Sequence, residues 1–358
     1  MKRILFAIPG DLATLTGGYG YDRRILCALR ELGLDVVHVA LPASFPEPTA
    51  ADVKTALAAI NEVLRPGDVV LVDGLAFGAL PREAIRDIGA PVVALCHHPL
   101  CLETGLDPLP MQALFESERE ALALADHVIV TSGDTAELLV RDFAVEAQKL
   151  TIGPPGTDSA PRARGSDGPP ILLAVGSIIP RKAFGLLVEA LGGLQHLDWR
   201  LRLVGASHRS PPTAAALVEQ IAACGLERRV DLLGELSGED LEAAFATSDV
   251  FVSPALFEGY GMALAEAMAH GLPIVMTTAG AAASTVPDAA ALKLAPLDAP
   301  GLRMALQEII ADVGVRQKLS DESWRAGQNL PQWGDTAGKI AAALRFASQI
   351  MKRSASRA

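Results

Sequence analysis

In the run Ser253-Pro254-Ala255-Leu256-Phe257-Glu258-Gly259-Tyr260-Gly261-Met262-Ala263-Leu264-Ala265-Glu266, two carboxylates bracket a glycine-rich turn. A short apolar stretch ends at Ser253, and a helical pattern begins near Gly261. Gly259 and Gly261 carry no Cβ, so the backbone here can approach a ligand closely. A helix start offers unpaired N–H groups and the positive end of the dipole, which suit a phosphate or diphosphate. Glu258 precedes that helix, and Glu266 lies about one and a half turns inside it at roughly 3.6 residues per turn. Carboxylates accept hydrogen bonds from sugar and ribose hydroxyls. A diphosphate seat flanked by such acceptors is what a nucleotide sugar requires. Acids also occur at ordinary helix starts for dipole reasons alone.

A second cluster, Gly176-Ser177-Ile178-Ile179-Pro180-Arg181-Lys182, follows the apolar run Ile171–Val175 and precedes a helical pattern over about 184–191. Arg as a bidentate fork and Lys as a point charge can neutralise a diphosphate. Two solvated charges are the plainer alternative, weakened because cations at a helix start oppose the dipole. In the first half, Thr16-Gly17-Gly18-Tyr19-Gly20 follows one apolar run and His97-His98-Pro99 another. A histidine there can hydrogen-bond a hydroxyl; position favours His97, and His98 stays as an alternative. Gly18-x-Gly20 leads to Arg23 where a dinucleotide fingerprint needs a third glycine, which disfavours an oxidoreductase. Cys27, Cys96, Cys101 and Cys224 have no metal-ligand spacing and read as buried free thiols. No Asp-x-Asp occurs, and no metal site is assigned.

These residues need elements to hold them. Apolar runs at Ile4–Ile8, Val36–Ala40, Val69–Val72, Val92–Cys96 and Val128–Thr131 alternate with helical patterns, such as 21–32 with Ile25, Leu29 and Leu32 on one face. That alternation predicts βαβ units and a parallel sheet. It breaks at Gly153-Pro154-Pro155-Gly156 and the Pro-rich stretch from Pro161 to Pro170, then restarts at Ile171–Val175, Leu201–Val204, Val230–Leu233, Val250–Ser253, Ile274–Thr277 and Leu292–Ala295. A last amphipathic helix over about 336–351 spaces Ile340, Leu344, Ala347 and Ile350 for burial. The fold class is α/β, two doubly wound Rossmann-like domains facing a cleft. Ligands of open parallel sheets bind beyond the carboxyl ends of the strands, where the candidate residues fall. Trp199, Trp324 and Trp333 read as packing residues.

The segment from Phe257 to Pro273 resembles the E-x7-E motif of the family 4 retaining glycosyltransferases, with Glu258 and Glu266 at the two acidic positions. The resemblance runs over nearly the whole chain, sharply in the second half and diffusely in the first. It implies a GT-B fold: an acceptor-side domain over 1–155, a linker over 156–170, a sugar-nucleotide domain over 171–330, and a helix over 331–351 crossing back toward the first domain. It implies that Glu258 contacts the transferred sugar and Glu266 the ribose. Gly259, Tyr260, Gly261 and Met262 would offer backbone donors, Arg181 and Lys182 would meet the diphosphate, and His97 would lie near the sugar. Gly17-Gly18 is similar to the family's Gly-Gly loop, which lets amides approach donor phosphate or acceptor. Ser177 stands where relatives often have Arg, and Ala183 where a Gly follows the Lys. After Ile274–Thr277, Ser284 takes the place of an expected acid; Gly280 is kept as a weak site candidate and Ser284 is assigned nothing.

Half of the 358 residues are apolar and 20% are charged, the composition of a packed globular protein. The net charge of −11 disfavours a general nucleic-acid binder. The basic tail, Lys352-Arg353-Ser354 to Arg357, reads as a solvated terminus. No apolar run approaches about 18 residues, and the N-terminal run is too short for a signal peptide, so a cytoplasmic protein without a transmembrane segment is expected. The expected reaction is metal-independent, retaining transfer of a hexosyl group from a nucleotide-diphosphate sugar to an acceptor hydroxyl, with no resident cofactor. The acceptor, whether small molecule, glycan or lipid at a membrane surface, is left open, as are the sugar and base. The rivals are a phosphorylase on the same scaffold and a non-catalytic sugar-nucleotide-binding regulator.

Overall fold

The computed structural model describes residues 1–103, 107–278 and 280–355, with side chains through Gln349. Among the described residues, twelve strands form two six-stranded, all-parallel sheets. The chain divides into two compact units, Met1–Gly156 with Pro331–Ala358, and Thr157–Leu330.

In the first unit the strands are β1 (Ile4–Pro9), β2 (Val36–Leu41), β3 (Val69–Asp73), β4 (Val92–Cys96), β5 (His127–Val130) and β6 (Leu150–Ile152), in the order β2-β1-β3-β4-β5-β6. The crossovers carry α1 (Gly17–Glu31), α2 (Ala50–Val63), α3 (Gly74–Phe77), α4 (Arg82–Arg86), α5 (Pro108–Leu124) and α6 (Gly133–Asp142). β1, β3 and β4 are buried along their whole length, as strands covered on both faces must be. The edge strand β6 leaves no signal in the sequence because its three residues carry no detectable period. α1 starts four residues earlier than its apolar period suggests. Thr16 caps it by accepting from the Tyr19 N–H, so Gly17 and Gly18 are its first turn rather than a loop.

The second unit contains β7 (Ile171–Val175), β8 (Arg200–Val204), β9 (Val230–Gly234), β10 (Val250–Ser253), β11 (Ile274–Thr277) and β12 (Ala291–Leu294), ordered β12-β11-β10-β7-β8-β9. Its helices are α7 (Phe184–Gly192), α8 (Pro211–Ala223), α9 (Gly238–Ala246), α10 (Met262–Ala269), α11 (Ala282–Thr285), α12 (Ala299–Ala311) and α13 (Val313–Gly327). Within 157–170, part of the stretch read as a linker, the N–H of Ala163 donates to the His270 carbonyl at 2.8 Å, that of Arg164 to Ala246 at 2.9 Å, and that of Ser166 to Asp249 at 3.2 Å. These bonds make the stretch part of the second unit.

The last helix, α14 (Trp333–Ala355), belongs to the first unit and packs on α1 and on β3 to β6. Ala337, Ile340, Ala341, Leu344 and Ala347 form its buried stripe. Full burial of Ile340 and Leu344 stabilises this docking by roughly 1.5–3 kcal/mol each. Thr336 donates to the Pro154 carbonyl at 2.6 Å, and Gly156 lies so close that a Cβ would meet the Trp333 backbone at 2.3 Å. The Ile350 side chain and the basic tail side chains lie outside the described residues.

Of the cysteines, Cys96 and Cys101 are buried as expected, but Cys27 is exposed and Cys224 half-buried. Cys27 falls on the outward face of α1, opposite the stripe of Ile25 and Leu29.

Candidate active site

In each sheet the strand order reverses once, between β1 and β3 in the first and between β7 and β10 in the second. A switch point opens a crevice at the carboxyl ends of the two central strands. In the second unit, the loop after β7 carries Gly176 to Lys182, and the loop after β10 carries Pro254 to Gly261. The two loops are tied together, the Leu256 N–H donating to the Arg181 carbonyl at 2.8 Å.

Arg181 and Lys182 converge on Glu258. Lys182 Nζ bonds Glu258 Oε1, while Arg181 Nη1 lies 3.4 Å from Glu258 Oε2 and donates to the Phe257 carbonyl at 2.8 Å. All three side chains are between 12% and 16% exposed, so the pair is shielded yet reachable. Gly176 makes room for this: a Cβ there would stand 2.6 Å from Lys182 Cε. Ala183 adopts the left-handed conformation (φ 49°), a strained one for any residue with a Cβ. Ser177 lies between Gly176 and this basic turn, and its backbone nitrogen faces Gly205.

Gly261 precedes α10 in the left-handed region (φ 89°), and no side chain caps the helix. The start of α10, at Met262, is thus an uncapped helix terminus beside two cations, electrostatically suited to a diphosphate. The Tyr260 carbonyl accepts from Thr285 Oγ1 at 2.9 Å, which fixes the turn after Gly259. Gly280 takes a structural part: it bridges Glu258, and a Cβ on it would lie 2.4 Å from the Glu258 carbonyl oxygen. The Ala281 N–H donates to that same carbonyl at 2.9 Å. Ala279 lies outside the described residues.

Glu266 sits on α10, half-buried; its carbonyl accepts from the His270 N–H at 3.1 Å, while its carboxylate makes no hydrogen bond or ion pair among the described residues. Burial, then the nearby acids Glu242 and Asp158, push its carboxyl up to about 7. An acceptor group held without a protein partner is ready for a ligand hydroxyl.

The first unit places His97 at the end of β4. Its Nε2 is 3.2 Å from Asp22 Oδ1 on α1 and 3.2 Å from Asp73 Oδ2 at the end of β3. Burial opposes charge on the ring, but the two carboxylates outweigh it and lift His97 to about 10. Burial and Asp73 raise Asp22 to about 7, against the pull of His97. Gly18 borders this ring, since a Cβ there would stand 3.7 Å from Cδ2. His98 turns instead to Glu103, at 3.6 Å. Asp22 and Asp73 were missed in the sequence. A strand-end signal existed for Asp73, which closes the run Val69–Val72; Asp22, in mid-helix, gave none.

Residues 169–312 match the family model of glycosyl transferases group 1, and residues 10–156 match that of the glycosyl transferase 4-like domain. An MMP alpha-(1->4)-mannosyltransferase of Mycolicibacterium hassiacum is 28% identical over 318 residues, 84% of this chain and 75% of that protein. A D-inositol 3-phosphate glycosyltransferase of Nocardia farcinica is 29% identical over 190 residues, 48% of this chain and 42% of the relative, so the match spans less than half of that protein's length. Sucrose-phosphate synthase from Thermosynechococcus elongatus superposes with a TM-score of 0.83 at 21% identity, covering 98% of this chain and 100% of that one. HepE from Anabaena, solved in complex with UDP-glucose, gives a TM-score of 0.72 at 17% identity, covering 96% and 99%. At these identities the structural likeness establishes the fold, two Rossmann-like domains of the GT-B class. Between them the two family models cover most of the chain, and the chain belongs to the family 4 glycosyltransferases. No helix among the described residues is long and apolar enough to cross a membrane.

Proposed function

We propose that this protein transfers a hexosyl group, with retention, from a nucleoside-diphosphate sugar to an acceptor hydroxyl. The observation that carries the reading is the pairing of Glu258 with Arg181 and Lys182 beside the uncapped start of α10. A diphosphate entering there gains two cations and the helix terminus, and its arrival releases the Glu258 carboxylate to accept from a sugar hydroxyl. Glu266 takes the ribose hydroxyls. As the bond from the anomeric carbon to the diphosphate oxygen breaks, negative charge grows on the leaving group, where Arg181, Lys182 and the α10 amides stabilise it. The acceptor oxygen bonds to the anomeric carbon, and its proton passes to the departing phosphate oxygen. With protein cations in these places, transfer needs no metal ion and no cofactor.

The relatives named above act on mannosyl and inositol phosphate substrates by their names, which supports a hexosyl donor and leaves the acceptor to be found. A thermal-shift screen with UDP, GDP, ADP and their sugars identifies the donor, because a ligand of the folded state raises the melting point. Mass spectrometry of donor and acceptor mixtures, with and without a chelator, then reads transfer. Stable donor binding with no product across a broad acceptor panel would point to a regulator instead. Release of sugar phosphate without nucleotide would identify a phosphorylase.

A further inference from the structure

Asp22, Asp73 and His97 come from three different elements and meet inside the first unit. Both carboxylates are about 1% exposed, and neither makes an ion pair with any other cation among the described residues. Asp73 Oδ1 is satisfied by the Leu75 N–H at 3.0 Å, whereas Asp22 Oδ2 is buried with no hydrogen-bond partner. Buried carboxylates of this kind need a compensating cation. Nε2 of His97 hydrogen-bonds Asp22 Oδ1 at 3.2 Å and stands at ion-pair distance, also 3.2 Å, from Asp73 Oδ2. Tyr21 stands edge-on to the ring at 5.1 Å, and Thr131 donates to the His97 carbonyl at 2.9 Å, which fixes ring plane and backbone. The charged or titratable groups facing His97 are thus Asp22 and the phenol of Tyr21 from α1 and Asp73 from the β3 end; Thr131, just past β5, adds a hydroxyl. Nδ1 makes no hydrogen bond among the described residues, and the side chain is 17% exposed.

We propose that Asp22 and Asp73 are positioning residues that grip His97 through Nε2 and keep it an imidazolium, so that Nδ1–H is a fixed hydrogen-bond donor to a substrate hydroxyl. The inference rests on the transfer reading above for what Nδ1–H meets, but the state of the ring does not. A neutral ring gripped through Nε2–H would present a bare acceptor at Nδ1 instead. The raised affinity of His97 for its proton follows from the same two carboxylates.

The test is long-range 15N–1H NMR of the full-length protein labelled at histidine, without substrate. Both His97 ring nitrogens should stay protonated from pH 6 to pH 9. In Asp22→Asn and in Asp73→Asn the ring should titrate near the ordinary histidine range. Transfer by these variants should drop roughly ten- to hundredfold at pH 8, the size of a lost charge-assisted contact, and recover in part at pH 6. Binding of the free nucleoside diphosphate should be unchanged in both. A neutral His97 in the parent at pH 7 overturns the proposal, and that spectrum requires no variant to fold. An imidazolium combined with parental turnover in His97→Gln overturns the donor role alone. The three side-chain ligand atoms lie within 4.8 Å of one another, so one equivalent of divalent metal copurifying with the parent and absent from His97→Gln would also overturn it.

Discussion

Glu258→Gln tests the ion pair at the centre of the site. Glu258 pairs with both cations that the diphosphate is proposed to use. Glutamine keeps the size and one acceptor oxygen but removes a negative charge from the path of an incoming anion. Two unit charges roughly 8 Å apart interact by about 0.5 kcal/mol at the dielectric of water and about 2 kcal/mol at an effective value of 20. For side chains this shielded, a gain of about 1 kcal/mol is reasonable, or roughly fivefold in affinity. Free nucleoside diphosphate should therefore bind Glu258→Gln more tightly than the parent, by calorimetry at fixed ionic strength. Transfer should still collapse by a hundredfold or more, because the sugar loses its carboxylate. Lys182→Ala should act oppositely on binding, weakening it by about 1.5–3 kcal/mol, the worth of a hydrogen bond to a charged group. Each variant is first shown to melt like the parent, since a carboxylate removed from between two cations also changes stability. Weaker nucleotide binding by Glu258→Gln, or parental binding by Lys182→Ala, would refute the competition.

Glu266→Gln should weaken nucleoside diphosphate and sugar nucleotide equally, by about tenfold, because both carry the ribose; a loss confined to the sugar nucleotide would move Glu266 out of that role. Glu118 is buried on α5, accepts from the Leu100 N–H at 2.8 Å, and is pushed by burial up to about 8 from an ordinary 4.5. The folded state thus holds its proton where the unfolded state has lost it, so stability falls as pH rises from 4.5 through 8, by at most about 5 kcal/mol at 1.4 kcal/mol per pH unit. Glu118→Gln should flatten that loss and raise stability at pH 8.5 in chemical denaturation, and an unchanged pH slope would count against it. Ala183→Gly relieves the left-handed strain at the head of α7 and should stabilise the protein by about 0.5–1 kcal/mol, with nucleotide affinity preserved.

Much of this protein is local and therefore visible in its residues. The strand from Val92 to Cys96 and that from Ile171 to Val175 begin and end where their apolar runs do, because a central strand covered on both faces favours a continuous apolar run. Glu258, Gly261 and Glu266 lie along one loop and one helix, so their spacing alone places them at a helix start. Arg181 and Lys182 are adjacent for the same reason.

What the sequence does not contain is which distant groups meet. Asp22 and His97 are 75 residues apart, and only the β2-β1-β3-β4 strand order brings α1, the β3 end and the β4 end together. The pairing of Glu258 with residues 76 and 77 positions earlier depends on β7 and β10 being neighbours at the switch point. Gly280 was legible as a glycine in a loop, but its purpose, close approach to the Glu258 carbonyl, exists only after β11 lies beside β10. Side-chain period reports the environment of each element. Strand order, which the period does not encode, decides which charges neutralise one another and which remain for a substrate.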